Sequence, residues 1–267
     1  MINVHDHAPD NARILFPKAA LELCLVQVRF PSAPRFSEER HLSAFKEELA
    51  DEYPLPSSEQ AMNITVTPQG VSQSPGGNLI RLATVDYSWS IVITNELVSL
   101  ETRHYSDIDD LSRRFQRVLE QVVKHFKPRL QLRFGLRYIN EFRIQQGDNF
   151  EGWHKLLNPE LFGISGSNIL GGTVEQTIAE TRTRRDNGTL LLRHGYLQGT
   201  TVAPIGPRPP KAGPFYMLDL DYFDETPTPF EVNPTARMQV YNDVLYSIFR
   251  WCIGEGVLYQ QLRGESI

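Results

Sequence analysis

The stretch LQLRFGLRYINEFRI, Leu130 to Ile144, decides how this chain is read. Leu130, Leu132, Phe134, Leu136, Tyr138 and Phe142 fall on one parity, while Arg129, Gln131, Arg133, Gly135 and Arg137 fall on the other. Period-two alternation over that length predicts a strand that packs one face and turns the other to solvent or a ligand. The segment before it obeys a different period. From Asp107 to His125, Leu111, Phe115, Val118, Leu119 and Val122 form one apolar stripe that continues to Phe126 and predicts a helix, with Ser106 as N-cap and Pro128 as stop. Its acids Asp107, Asp109 and Asp110 come first and its bases Arg113, Arg114, Arg117, Lys124 and Lys127 later, as the helix dipole favours.

Working outward, Ala20 to Phe30 reads as a strand. Ser37 to Tyr53 reads as a helix with Ser37 as cap and Leu42, Phe45 and Leu49 inward. Strands follow at Asn63 to Thr67, Leu79 to Val85, Ser88 to Thr94 and Leu97 to Tyr105, with a turn at Pro75-Gly76-Gly77-Asn78. After the Leu130 strand come a short helix (Phe150 to Leu161), a Gly/Ser-rich loop and a hairpin of Val174 to Arg184 with Thr189 to Leu197 around Asp186-Asn187-Gly188. A proline-rich loop, the strand Phe215 to Phe223 and a long helix opened by Asn233-Pro234 complete the chain. The helix is expected to bury Val240, Tyr241, Val244, Leu245, Ile248, Phe249 and Cys252.

This order, strand, helix, several strands, long helix, occurs twice. It predicts an α+β domain over 20–267 after an N-terminal arm, 1–19, with pseudo-symmetric halves 20–128 and 129–267. The expected architecture is one continuous curved antiparallel sheet with helices on one face, of the TATA-binding-protein-like or helix-grip-like kind.

The chain has 267 residues, 40% of them hydrophobic, and a net charge of −5. That excludes disordered and collagen-like classes and argues against a globally basic nucleic-acid binder. Seven acids between Ser37 and Gln60 face only Arg40 and Lys46, so this one stretch holds the whole excess. No long apolar run predicts a membrane span, and Cys24 and Cys252 lie in apolar segments, as buried thiols in a reducing cytosol would.

No motif specifies a reaction: Walker A, GxGxxG and nucleophile-elbow patterns are missing, so no cofactor and no catalytic residue is assigned. His5-Asp6-His7 lacks a third fixed ligand and is read as solvated, and no metal site is expected. The strongest constellation is the polar sheet face. Arg133 and Arg137 flank Gly135, Arg103 and Glu101 share a face of their own strand, and Arg193 or His194 could join them. Asp219 and Asp221 project together from theirs. Such arginines can hold a carboxylate or phosphate bidentately, or pair with Asp219, Asp221 and Glu101 as a structural network; both readings stay open. Arg182, Arg184 and Arg185 at the hairpin could touch a phosphate backbone, with a solvated tip as the simpler account. The acidic helix and Pro207-Arg-Pro-Pro-Lys are weaker interaction signals.

The segments LVSLETRHY (Leu97 to Tyr105), RFGLRYINEF (Arg133 to Phe142) and YMLDLDYF (Tyr216 to Phe223), with ELCLVQVRF at the start, resemble a sporadically distributed family of uncharacterised bacterial proteins of similar length. The resemblance implies a bacterial cytoplasmic protein in an accessory, defence or mobile-element role. No activity is established for that family, so no site residue is carried over. The expectation is therefore a non-enzymatic protein that binds an acidic ligand or a protein partner, encoded nearby, on its open sheet face. Two alternatives are a metal-assisted enzyme using Asp219 and Asp221, and single-stranded nucleic-acid binding with Trp89 or Tyr138 stacking bases. No membrane contact is expected, and homo-oligomerisation is left open.

Overall fold

Two periods alternate along the chain, and the elements follow them. The computed structural model describes residues 16, 20–67, 70–144, 149–199 and 211–264. Strand β1 (Leu21–Arg29) and helix α1 (Glu39–Leu49) precede strands β2 (Leu55–Thr67), β3 (Gly70–Ala83), β4 (Trp89–Ile93) and β5 (Leu97–Thr102) and helix α2 (Ile108–Phe126). Then come β6 (Leu130–Gln131), β7 (Arg133–Phe142), α3 (Phe150–Leu156), β8 (Ala179–Arg185), β9 (Gly188–Gln198), β10 (Pro214–Asp224), β11 (Thr228–Pro229), α4 (Met238–Ile253) and α5 (Val257–Leu262). The fold is α+β with a large antiparallel sheet, its strands hydrogen-bonded in the order β2-β3-β4-β5-β1-β7-β10-β9-β8; β6 and β11 pair separately. His5-Asp6-His7, Pro207 to Pro210 and all of the arm 1–19 except Phe16 lie outside the described residues.

Two compact units divide the chain. One comprises Leu25–Gly135 with Asp224–Met238. Its main helix, α2, buries Leu111, Phe115, Val118, Leu119, Val122 and Phe126, the stripe its sequence predicts, together with Ile108, at ~1.5–3 kcal/mol for each large apolar side chain. The cap sits one residue later than expected, because Asp107 Oδ1 accepts the Asp110 N–H at 2.8 Å. A carboxylate there also complements the helix dipole, which a serine cannot do. Phe45 of α1 packs on Phe126 with ring centroids 5.2 Å apart. Ser37 does not cap α1 either: it closes a 3-10 turn, and Glu38 occupies the cap position without a side-chain bond. The acids of α1 and its exit meet α2, where Lys124 donates to Glu48 and Arg117 to Glu52. Part of the negative excess is thus an intramolecular complement to basic residues of α2.

Pro75 to Asn78 were expected to form a turn, but they lie inside β3, where Pro75 and Asn78 have partners in β2. The ladder shifts register between Gln60 and Met62, and Met62 is the partner of Pro75. A proline, which lacks the N–H of a regular ladder, is accommodated at such an irregularity.

The other unit comprises Met1–Cys24, Leu136–Phe223 and Gln239–Ile267. Its hairpin matches the sequence signal, with Arg185 opposite Gly188 across Asp186-Asn187. On one side of β10, Tyr216 packs against Trp153 of α3 (5.7 Å) and Tyr222 against Tyr241 of α4 (4.8 Å). Gly195 in β9 is required by a close backbone approach, since a Cβ there would stand 1.9 Å from the Thr177 carbonyl oxygen. The stripe of α4 is rotated from the expected one. Tyr241, Leu245 and Cys252 are buried together with Asn242 and Ile253, whereas Val240 is exposed.

The decisive strand also differs from its simple reading. Leu130 and Leu132 are exposed, because regular alternation starts only at Arg133 and Leu130 belongs to the separate β6–β11 pair. On the polar parity, Ile139 and Glu141 are buried. Alternation marks which residues share a face, but it does not report how densely that face is covered.

Candidate functional site

The polar parities of the strands carry two charge clusters, one in each unit. In the unit of β8, β9 and β10, the centre is Asp219. The register places it opposite Arg193 of β9, which is itself opposite Glu180 of β8. Side chains directly opposite in an antiparallel ladder lie on one face, so this row assembles from pairing alone. Arg137 of β7 closes on the same carboxylate: Nε donates to Oδ1 at 2.7 Å and Nη2 to Oδ2 at 2.6 Å, a bidentate pair. Arg193 Nη1 stands 3.5 Å from Asp219 Oδ2, and its Nε donates to Glu180 at 2.6 Å. The Asp219 side chain is 4% exposed, while those of Arg137 and Arg193 are 31% and 34% exposed. The buried anion thus sits beneath two half-exposed guanidiniums. Burial works against the charge of Arg137, but the hydrogen bonds and charge of Asp219, aided by the charge of Asp221, hold its pKa above the usual value.

The guanidiniums of Arg143 and Arg182, in the same unit, lie over rings. Arg143 stands 4.3 Å from the centroid of Phe215, and Arg182 is 5.4 Å from that of Phe223. Arg143 also donates to the Gly213 carbonyl at 2.9 Å and to Glu141 at 3.3 Å. These contacts use both faces of arginine chemistry, the planar cation over a ring and the N–H fork toward oxygen.

The second cluster, in the unit of β2 to β5, is built on Arg81. Its Nη1 donates to Glu101 Oε2 at 2.8 Å and to Ser90 Oγ at 2.8 Å, and its Nε donates to Glu59 Oε1 at 3.0 Å. Ser99 Oγ donates to Glu101 Oε1 at 3.3 Å. Desolvation opposes the charge of Arg81, but Glu101 and Glu59 outweigh it and raise its pKa.

Of the residues singled out in the sequence, Arg137, Asp219 and Asp221 meet in one unit, with Arg193 joining them as one of the two expected candidates. The other, His194, points away. Its Nδ1 lies 2.8 Å from the Tyr216 hydroxyl in a buried stack, and burial lowers its pKa. Glu101 and Arg103 belong to the other unit, where Glu101 takes Arg81 as its partner and Arg103 is half-buried. Arg133 belongs to that unit as well, with Nη1 3.5 Å from Gln27 Oε1. Arg182 and Arg184 are exposed on β8, with Arg185 half-buried at its end. Arg81 carries no motif, and its neighbours on the same parity, Leu79 and Ala83, are apolar, so alternation does not mark it.

Among the described residues, no group of three or more His, Cys, Asp or Glu side chains could hold a metal ion. Both cysteines are free and buried; burial pushes the Cys252 thiol up to about 12 and raises Cys24 well above its usual range, which makes nucleophilic thiolates unfavourable. None of the described helices is long and apolar enough to cross a membrane. No protein-family model matches the chain, and no curated protein matches it.

Proposed function

We propose that the protein is a non-enzymatic binding protein whose polar sheet face receives an acidic ligand or an acidic segment of a partner protein. The observation that carries this reading is the convergence of Arg137 and Arg193 on one buried carboxylate, Asp219. A guanidinium has five N–H donors, more than these bonds engage, so the pair can be oriented from below and still present donors above. An orientation fixed before binding lowers the entropic cost of recognition. The structural-network account and the binding account are then two levels of one arrangement.

The same proposal takes the two runs β1-α1-β2-β3-β4-β5-α2 and β7-α3-β8-β9-β10-α4 as pseudo-symmetric halves of a TATA-binding-protein-like or helix-grip-like architecture, supported by their matching element order. The resemblance to the bacterial family supports a cytoplasmic accessory role, in defence or with mobile elements, beside a partner encoded nearby.

The two alternatives fit the geometry less well. Both oxygens of Asp219 face Arg137 donors, which leaves that carboxylate poorly placed to ligate a cation with Asp221. Trp89 is buried under Arg114, 4.6 Å from its ring centroid, and the Tyr138 hydroxyl donates to Asn242 in the interior, so neither ring is presented to a base.

The test is a titration with inorganic phosphate, citrate and a polyglutamate peptide, following the arginine Nε–H resonances. The expected result is saturable shifts at Arg137 and Arg193 that weaken in Arg193→Gln. Flat resonances with all three probes, in a protein with an intact spectrum, would remove the anion-binding face.

A further inference from the structure

We infer that β8 is the docking edge for an extended acidic segment of a partner protein, which adds to the sheet as a further strand beside it. This stands on a different observation from the sheet-face proposal. It uses the main chain of an edge strand, whereas the face uses side chains.

β8 ends the strand order with β9 as its neighbour, so one side of its backbone has no strand partner among the described residues. It is also a regular template. Seven consecutive residues keep register with β9, from Ala179 opposite His194 to Arg185 opposite Gly188, without a bulge. The run from Glu180 to Arg184 is exposed. Natural sheets blunt such edges with proline, bulges, short length or charge, because unpaired N–H and C=O groups recruit other strands. In AETRTRR only charge is used, and bases predominate by count: Arg182, Arg184 and Arg185 against Glu180, which pairs with Arg193 at 2.6 Å. An edge of this charge repels a second copy of itself and admits an acidic strand.

The alternation specifies the occupant further. Arg182 and Arg184 share one face and Thr181 and Thr183 the other. A segment with Glu or Asp at every second position and β-branched residues between would set carboxylates beside the arginines and methyl-bearing side chains beside the threonines. Such cross-strand pairs are the favourable ones in sheets. Main-chain bonds would supply affinity and the arginines the choice of partner, the division of labour in strand addition.

The experiment uses the full chain and a fluorescein-labelled peptide of about eight residues alternating Glu and Val, the length of an ordinary strand. Anisotropy should show saturable binding that weakens about tenfold or more in Arg182→Glu/Arg184→Glu, a loss of about 1.4 kcal/mol. Amide exchange should slow along 180–184 when peptide is present. The same peptide with alternate residues N-methylated should give no exchange protection along 180–184. Circular dichroism of the double variant checks that its fold is kept. Exchange protection on β8 that survives N-methylation, unchanged affinity in the double variant, no exchange protection on β8, or preference for a single-stranded oligonucleotide would each overturn the proposal.

Discussion

Arg137 and Asp219 lie 82 positions apart in sequence and meet through two charge-assisted hydrogen bonds, 2.7 and 2.6 Å long, that engage both oxygens of one buried carboxylate. Removing one partner of such a pair leaves the other desolvated without compensation, which costs more than the pair itself contributes. Asp219→Ala should therefore destabilise the protein by roughly 2–3 kcal/mol, below the ~3–5 of a fully buried pair because Arg137 keeps partial access to water. Arg137→Met/Asp219→Leu should recover much of the loss. Urea denaturation of the single and double variants measures both, and equal midpoints for wild type and Asp219→Ala would contradict the account.

The histidines give a pH dependence with a definite sign. His125, in contact with Phe45, has its pKa lowered from 6.5 by burial first and by Lys124 second; His194 is lowered from 6.5 by burial. The unfolded chain binds these protons more readily than the folded one, so stability is fully present above pH 6.5 and is lost as pH falls from there through the folded values. The denaturation midpoint should drop between pH 7.5 and 5, and His125→Gln should reduce that slope. A further loss below pH 3.8 is expected from Asp86 and Asp107, whose carboxylates are held below 3.8 by hydrogen bonds from Thr84 and Ser88 and from the Asp110 N–H.

Lys127 ends α2 with φ of 49°, a left-handed conformation that a side chain disfavours. Lys127→Gly should stabilise the protein by up to about 1 kcal/mol, because glycine adopts this cap without the Cβ clash. A raised thermal midpoint is the expected reading, and a fall of similar size would count against it.

Gly195→Ala tests the opposite situation, a missing Cβ filled by backbone. With the Thr177 carbonyl oxygen 1.9 Å from that position, the chain beside β9 must move. The expected cost is about 3 kcal/mol, at the upper end of overpacking effects, measured by calorimetry. A change under about 0.5 kcal/mol, the scatter of ordinary surface substitutions, would show that the approach relaxes freely.

Much of the element order can be read from the residues alone. The 3.6-residue stripe of α2, the Asp186-Asn187-Gly188 hairpin and the alternation of β7 all describe neighbours in sequence, which local periodicity records well. Pro75 shows the limit. Proline and glycines suggest a turn, yet a register shift in a long hairpin accommodates them inside β3. Leu130 and Leu132 show another, since apolar parity continues past the point where the strand's regular pairing ends.

The candidate site divides in the same way. Sequence alone determined that Arg137 and Arg133 share a strand face, that Asp219 and Asp221 share another, and that the negative excess is confined to one stretch. Those are consequences of a two-residue repeat and of counting. Tertiary structure alone decided that Asp219 takes Arg137 and Arg193, that Glu101 takes Arg81, and that the acids of α1 meet α2. The physical reason is that partner choice depends on strand order and register, which are set by pairings between distant parts of the chain. A period of two says which way a side chain points, and only the neighbouring strand says what it meets there.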